Sequence, residues 1–174
     1  MIPIKSAAEI QRMRRACAAA AEVLHGVAVL VMPGRTTAEL NEAAGSMIAK
    51  LGGKSPFLGY RGYPGNICVS VNEEVVHGIP GKRRIQYGDI VSLDVGIILD
   101  GYVGDNATTV AVGAVKPRAQ ELLQVTEKAL LAGIAKARPR LMPLTRVVMP
   151  TTRPSTSMSG PPELPGLIRA EVWM

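Results

Sequence analysis

Asp89-Ile-Val-Ser-Leu-Asp94-Val-Gly-Ile-Ile-Leu-Asp100-Gly101-Tyr-Val-Gly-Asp105-Asn-Ala107 is the stretch that decides the fold. Two β-rich apolar runs flank Asp100-Gly101, and an Asp-Gly pair in that setting predicts a two-residue hairpin, because both central residues of the turn take φ > 0. Counting outward pairs Leu99 with Tyr102, Ile97 with Gly104, Gly96 with Asp105 and Asp94 with Ala107. Side chains alternate along a strand, so Val91, Leu93, Val95, Ile97 and Leu99 point into a core while Asp94 points away from it. Asp105 opposes Gly96 and therefore shares Asp94's face as a diagonal neighbour, with Cβ atoms roughly 7–8 Å apart. Carboxylates so placed can reach one cation between them, or two ions about 3.5–4 Å apart. Aspartates near a turn are ordinarily just turn residues of a soluble hairpin. Here Ile90 and Ile98 flank Asp94, and two like charges in a partly buried trough repel and lose hydration unless something positive compensates. A metal is the economical compensation, as long as no bulge shifts the face parity.

The 174 residues give room for one domain with a substantial core. Hydrophobic content of 47% with 20% charge excludes intrinsic disorder. Aromatics are 3% of the chain, so packing rests on Ala, Val, Leu, Ile and Met. The net charge of +6 is concentrated: residues 136–174 carry six basic and two acidic groups, and the remainder carries fourteen and twelve. No basic face is implied, and no specific nucleic-acid partner is expected. Cys17 and Cys68 show neither metal nor disulfide spacing, and no apolar run is long enough for a signal segment or a membrane span. The expectation is a cytoplasmic protein with no membrane partner.

Upstream of the hairpin, Ser6-Ala-Ala-Glu9 is a capping box, followed at helical spacing by Ile10, Met13, Cys17, Ala20, Leu24, Val27 and Val31, with Met32-Pro33-Gly34 as the stop. Arg12, Arg14 and Arg15 read as a solvated face, and His25 as structural. A second capping box, Thr36-Thr-Ala-Glu39, opens a helix with Leu40, Ala44, Met47 and Leu51 as its apolar stripe and Gly52-Gly53 as its end. The loop Lys54–Gly65 holds three of the six aromatics, Phe57, Tyr60 and Tyr63, which either cover the core or line a pocket; composition favours cover. Ile67, Val69 and Val71 alternate as a strand, Asn72-Glu-Glu is a turn, and Val75-Val76 resumes a short strand. His77 follows it, and a lone histidine there is more often structural than catalytic. After the hairpin, Pro117 starts a helix whose Leu122, Leu123, Thr126, Leu130 and Ile134 are expected to face inward. The order predicts an α+β fold, an antiparallel sheet backed by helices on one face, with the other face left to Asp94 and Asp105.

Residues 139–174 hold seven of the thirteen prolines and four of the eight methionines, and no apolar period persists. The expectation is two regions, a folded domain over 1–138 and an unfolded Pro-rich tail over 139–174.

The blocks Gly59-Tyr-Arg-Gly-Tyr-Pro64, Ile67-Cys-Val-Ser-Val-Asn-Glu-Glu-Val-Val-His-Gly-Ile-Pro80, Gly88-Asp-Ile-Val91, Asp94 and Asp100-Gly-Tyr-Val-Gly-Asp105 resemble type I methionine aminopeptidase, continuously from about Ile4 to Arg138. The resemblance implies the pita-bread (aminopeptidase/creatinase-like) fold, N-terminal half, and removal of the initiator methionine from nascent proteins, close to the ribosome, by a monomer. It matches Asp94 and Asp105 to two of five ligands of a binuclear site. It matches His77 to the histidine that contacts the scissile peptide, and Tyr60, Tyr63, Cys68 and Phe57 to the wall of the methionine pocket. Two divalent ions are implied, and oxygen-rich ligation suits Mn, Co, Fe or Zn.

The family's second half supplies a histidine and two glutamates as the other ligands. This sequence has no histidine after His77, and its later glutamates, Glu121, Glu127, Glu163 and Glu171, lack the family's flanking motifs. Three ligands and the pseudo-symmetric second half are therefore expected to be missing, leaving a truncated, weakly active or inactive chain. A shift of reading frame would produce the abrupt join at the tail. The alternative is a catalytically silent pita-bread module that binds peptide N-termini or a partner protein.

Overall fold

A computed structural model describes residues 4–137, and the hairpin forms in the register counted from its turn. Asp100 and Gly101 have φ of 51° and 78°, as a two-residue turn between right-twisted strands requires. The sheet has three antiparallel strands in the order β1 (Cys68–Val71), β2 (Ile90–Leu99), β3 (Tyr102–Ala111). Val91, Leu93, Val95 and Ile97 are fully buried on one face, joined by Ile67, Val69 and Val71. Burying each such side chain contributes about 1.5–3 kcal/mol, so this row anchors the strand's orientation and leaves its even positions on the opposite face.

Two helices cover the apolar face. α1 (Ala7–Ala28) lies across β2 and β3, and α2 (Thr37–Lys50) packs against α1 and β1. Each begins with the expected capping box: Ser6 N–H donates to Glu9 Oε2 at 2.7 Å and Thr36 N–H to Glu39 Oε2 at 2.6 Å, while the hydroxyls accept from the N3 amides. α1 buries mostly small residues, Ala16, Cys17, Ala19 and Ala20, before Val23, Leu24 and Val27. It can therefore lie close to β3, where any Cβ on Gly104 would overlap the Ala16 carbonyl. The buried Asn106 side chain bridges the same contact, donating to the Cys17 carbonyl at 3.3 Å. Leu40, Ala44 and Ile48 are the buried face of α2, with Met47 and Leu51 packed at its margin.

Four expectations change. α1 stops at Ala28, not Val31, because Leu30 and Val31 donate to Val27 and Ala28, three residues back, and tighten the chain out of the helix. Ile10, assigned to its apolar stripe, is 41% exposed. Val75-Val76 forms no strand; both side chains are solvent-exposed in a loop from Asn72 to Gly81. The largest change is α3 (Pro117–Lys136), which has no buried residue: Leu122 and Ile134 are exposed and Leu123 and Leu130 only partly covered. Its apolar stripe forms as read, but no described element covers it. Arg15, one of the exposed basic residues of α1, has a partner in the Asp100 carboxylate at 2.8 Å, a surface pair worth at most about 1 kcal/mol. The tail assigned to 139–174 lies outside the described residues.

Candidate active site

The open face of the sheet is set by three residues in a row, Cys68 opposite Asp94 and Asp94 opposite Ala107. Two residues along β2, Gly96 opposes Asp105, which puts both aspartates on this face as the count required. Asp94 is half-buried and Asp105 more open to solvent, and the two carboxyls are close enough to couple electrostatically. Burial, then the neighbouring Asp105, pushes the Asp94 pKa up from 3.8 to about 6, with His77 pulling the other way. Burial also raises Asp105. Each carboxyl thus holds its proton more tightly than an ordinary carboxyl does.

Beside it is a cleft of about 570 Å³ lined by Phe57, Tyr60, Tyr63, Cys68, His77 and Asp94, together with Arg61, Gly62, Pro64 and Ile79. All the pocket residues expected from the sequence meet here, and Asp105 adjoins through Asp94. Phe57 reaches the sheet because Gly96 has no side chain: a Cβ there would lie 2.6 Å from Pro56 Cγ and 3.0 Å from the Phe57 ring. The loop that carries Phe57 is fixed by Ser55, whose hydroxyl donates to the Asn66 carbonyl at 2.6 Å and accepts from the Phe57 amide at 3.0 Å. A 3₁₀ turn at Tyr60–Gly62, entered through left-handed Gly59, then turns Tyr60 outward with the Arg61 guanidinium over its ring. Tyr63 folds inward, where burial and its contact with Cys68 raise its phenol pKa; burial likewise raises the Cys68 thiol. The composition-based reading of these aromatics as core cover is replaced by a pocket wall.

Arg61, Gly62, Pro64 and Ile79 were not singled out in the sequence. The first three interleave with Tyr60 and Tyr63 in one short loop, and that contiguity was the available signal. Ile79 gave none beyond standing two residues after His77.

The aspartate pair fits a cation in kind: two neighbouring carboxyls with raised pKa hold protons that a divalent ion could replace, and hard oxygen donors suit such ions. Among the described residues no group of three or more His, Cys, Asp and Glu side chains is placed to hold a metal.

The sequence is 46% identical over 145 residues to a methionine aminopeptidase of Aquifex aeolicus, covering 79% of this chain and 56% of that one. The crystal structure of a methionine aminopeptidase from Thermotoga maritima superposes with a TM-score of 0.77 at 42% identity, covering 80% of this chain and 56% of that chain. A Xaa-Pro dipeptidase from Bacillus anthracis shares the architecture at a TM-score of 0.66 and 25% identity, covering 75% and 36%. The chain spans about half the length of the methionine aminopeptidases it matches. The architecture is the pita-bread type of these enzymes, in mixed α and β structure. The sequence profile of metallopeptidase family M24 matches residues 11–148, a span that contains the whole cleft and both aspartates, and the chain belongs to that family.

Proposed function

We propose that this chain carries the substrate cleft and two of the metal ligands of an aminopeptidase that removes N-terminal methionine from nascent proteins. The observation that supports it best is the convergence of a carboxylate pair with a walled cleft, Asp94 belonging to both. In this reading Asp94 and Asp105 are metal ligands, His77 contacts the scissile peptide, and Phe57, Tyr60, Tyr63 and Cys68 receive the methionine side chain. An unbranched thioether suits that wall, since it adapts to irregular space and makes favourable contacts with aromatic edges. Tyr63 and Cys68, both kept neutral, exclude water and set the pocket's depth. The His77 imidazole, at the rim, can donate to an oxygen that gains charge as the peptide bond is attacked. Asp94 and Asp105 would hold a divalent ion such as Mn, Co, Fe or Zn, which would supply Lewis acidity when bound. The same reading implies a monomeric cytoplasmic protein working near the ribosome. No helix among the described residues is long and apolar enough to cross a membrane.

The two carboxylates alone fix little geometry, so the 174-residue polypeptide is expected to bind metal weakly and turn over little. The assay is release of methionine from Met-Ala-Ser with added Mn²⁺ or Co²⁺, after rigorous removal of host enzyme. Turnover in the ordinary range of about 1–10³ s⁻¹, abolished by Asp94→Ala, would mean that the remaining ligands are present after all.

A second reading has its own support in the absence of a third ligand among the described residues. Here the chain is a silent module that binds peptide N-termini or a partner protein. Metal content separates the two: peptide binding undiminished by Asp94→Ala and by chelator favours the module.

A further inference from the structure

We propose that Ser70 and Tyr63 are positioning residues for His77, which they hold over the cleft by fastening the Gly78 peptide to the edge of β1; the inference rests on the functional reading above. β1 is an outer strand, so its backbone groups on that side need partners other than a fourth strand. Gly78 provides them. The Val69 amide donates to the Gly78 carbonyl at 3.0 Å, and the Gly78 amide donates to Ser70 Oγ at 3.0 Å. The Tyr63 hydroxyl donates to the same Gly78 carbonyl at 2.9 Å and lies 3.2 Å from the Ile67 carbonyl. The approach is close enough that a Cβ on Gly78 would overlap the Val69 carbonyl and stand 2.8 Å from Ser70 Cα.

His77, the preceding residue, has φ 58°, a left-handed backbone that side-chain-bearing residues rarely hold without surrounding constraint. Other bonds close the loop farther away: Arg83 reaches Glu73 and Glu74 at 3.0 Å each, and Thr37 Oγ1 accepts from the Gly81 amide at 2.8 Å. Among the described residues, the bonds on Gly78 are the ones that act next to His77. Ser70 is 3% exposed, so without its hydroxyl the Gly78 amide would be buried lacking this acceptor, and the loop would shift to find another. Tyr63 couples two functions, because its ring walls the cleft while its hydroxyl holds the Gly78 carbonyl, one peptide beyond the His77–Gly78 amide that donates to Ser70.

The test is NMR on the 174-residue polypeptide at one fixed pH without metal. The chain has two histidines, so His25, in α1, serves as an internal control for the His77 ring signal. Ser70→Ala and Tyr63→Phe should each speed Gly78 amide exchange about five- to tenfold and move the His77 ring resonance, with His25 unmoved. Should Ser70→Ala fail to fold, Tyr63→Phe decides, since it removes one oxygen and keeps the ring. Folded variants whose Gly78 exchange and His77 resonance match the parent overturn the proposal. So does faster Gly78 exchange with an unmoved His77 ring, or an equal shift of both histidines, which a general loosening would give. In a second arm, Met-Ala-Ser is titrated in the presence of Mn²⁺: Ser70→Ala should weaken binding in the parent and have no further effect in a His77→Ala background. Equal weakening in both backgrounds overturns the proposal. A parent that binds no peptide, while the first arm behaves as expected, refutes the functional reading and leaves the positioning role standing.

Discussion

Asp94 and Asp105 couple electrostatically across one face of the hairpin although neither is the other's cross-strand partner. Asp94 stands opposite Ala107 and Asp105 opposite Gly96, so each carboxyl has one of the two smallest residues across from it and nothing bulky intervenes on the diagonal. The contact is repulsive when both groups are ionised, and half-burial of Asp94 adds to its cost. That tension is the basis of the first two predictions.

Asp94 has its pKa raised from 3.8 to about 6 on folding, so the folded state holds the proton more tightly than the unfolded chain. Its contribution to stability is fully present below about pH 3.8 and is lost as the pH rises through about 6. Asp94→Asn should therefore stabilise the metal-free polypeptide at pH 7 by about 1–2 kcal/mol, a figure reduced for the partial exposure of the site. Near pH 4 the difference should shrink towards zero. Urea denaturation of both proteins at the two pH values measures it, and an advantage for Asp94→Asn that grows towards acid pH would contradict the sign.

Adding Mn²⁺ should offset most of that advantage. The parent gains stability on binding the ion, by about 1.4 kcal/mol when the ion is present at ten times its dissociation constant. Asp94→Asn and Asp105→Asn should gain much less. Thermal unfolding across a Mn²⁺ series reads this directly, with equal gains in all three proteins as the outcome that excludes the pair as ligands.

Gly96 governs access to the cleft through Phe57. Gly96→Ala brings a methyl group into Pro56 and the Phe57 ring, which must move off the sheet beside Asp94. The variant should keep its hairpin, lose about 1–3 kcal/mol from the forced repacking, and bind Met-Ala-Ser more weakly than a peptide beginning with alanine is weakened. Calorimetric titration of the two peptides tests the selectivity, and equal losses would detach Phe57 from methionine recognition.

In the 174-residue polypeptide α3 should be the least protected helix. With Leu122, Val125, Leu131 and Ile134 all about half exposed or more, it lacks the packing from which most helical stability derives. Native-state hydrogen exchange should show α3 amides exchanging orders of magnitude faster than those of α1. Equal protection would require something to cover its apolar stripe.

Much of this was legible because the decisive signals are local. The Asp100-Gly101 turn admits one register between two apolar runs, and a one-residue slip would move Val91, Leu93, Val95 and Ile97 off the core, so sequence alone set which face Asp94 and Asp105 share. Ser6 with Glu9 and Thr36 with Glu39 marked two helix starts through bonds made within four residues. The pocket residues were identified by resemblance, since nothing in the composition of the Phe57–Tyr63 loop separates a wall from a cover.

What the tertiary structure decided lies in contacts between distant segments. Val75 and Val76 are β-branched, yet β propensity reflects fit to a neighbouring strand, and the edge of β1 is taken by Gly78, which fits where a side chain would collide. Leu122 and Ile134 announce an apolar helix face, but amphipathic spacing specifies a face without specifying what covers it. His77 gave no sign of a left-handed backbone. It stands next to Gly78, whose amide and carbonyl are bonded by Ser70 and Tyr63, seven and fourteen residues upstream of His77. The sequence by itself determined the strand register, the helix starts and the shared face of the two aspartates, because each follows from periodicity or short-range hydrogen bonding. The pKa of Asp94, the depth of the cleft and the aim of His77 depend on burial and on bonds between segments that only the folded chain brings together.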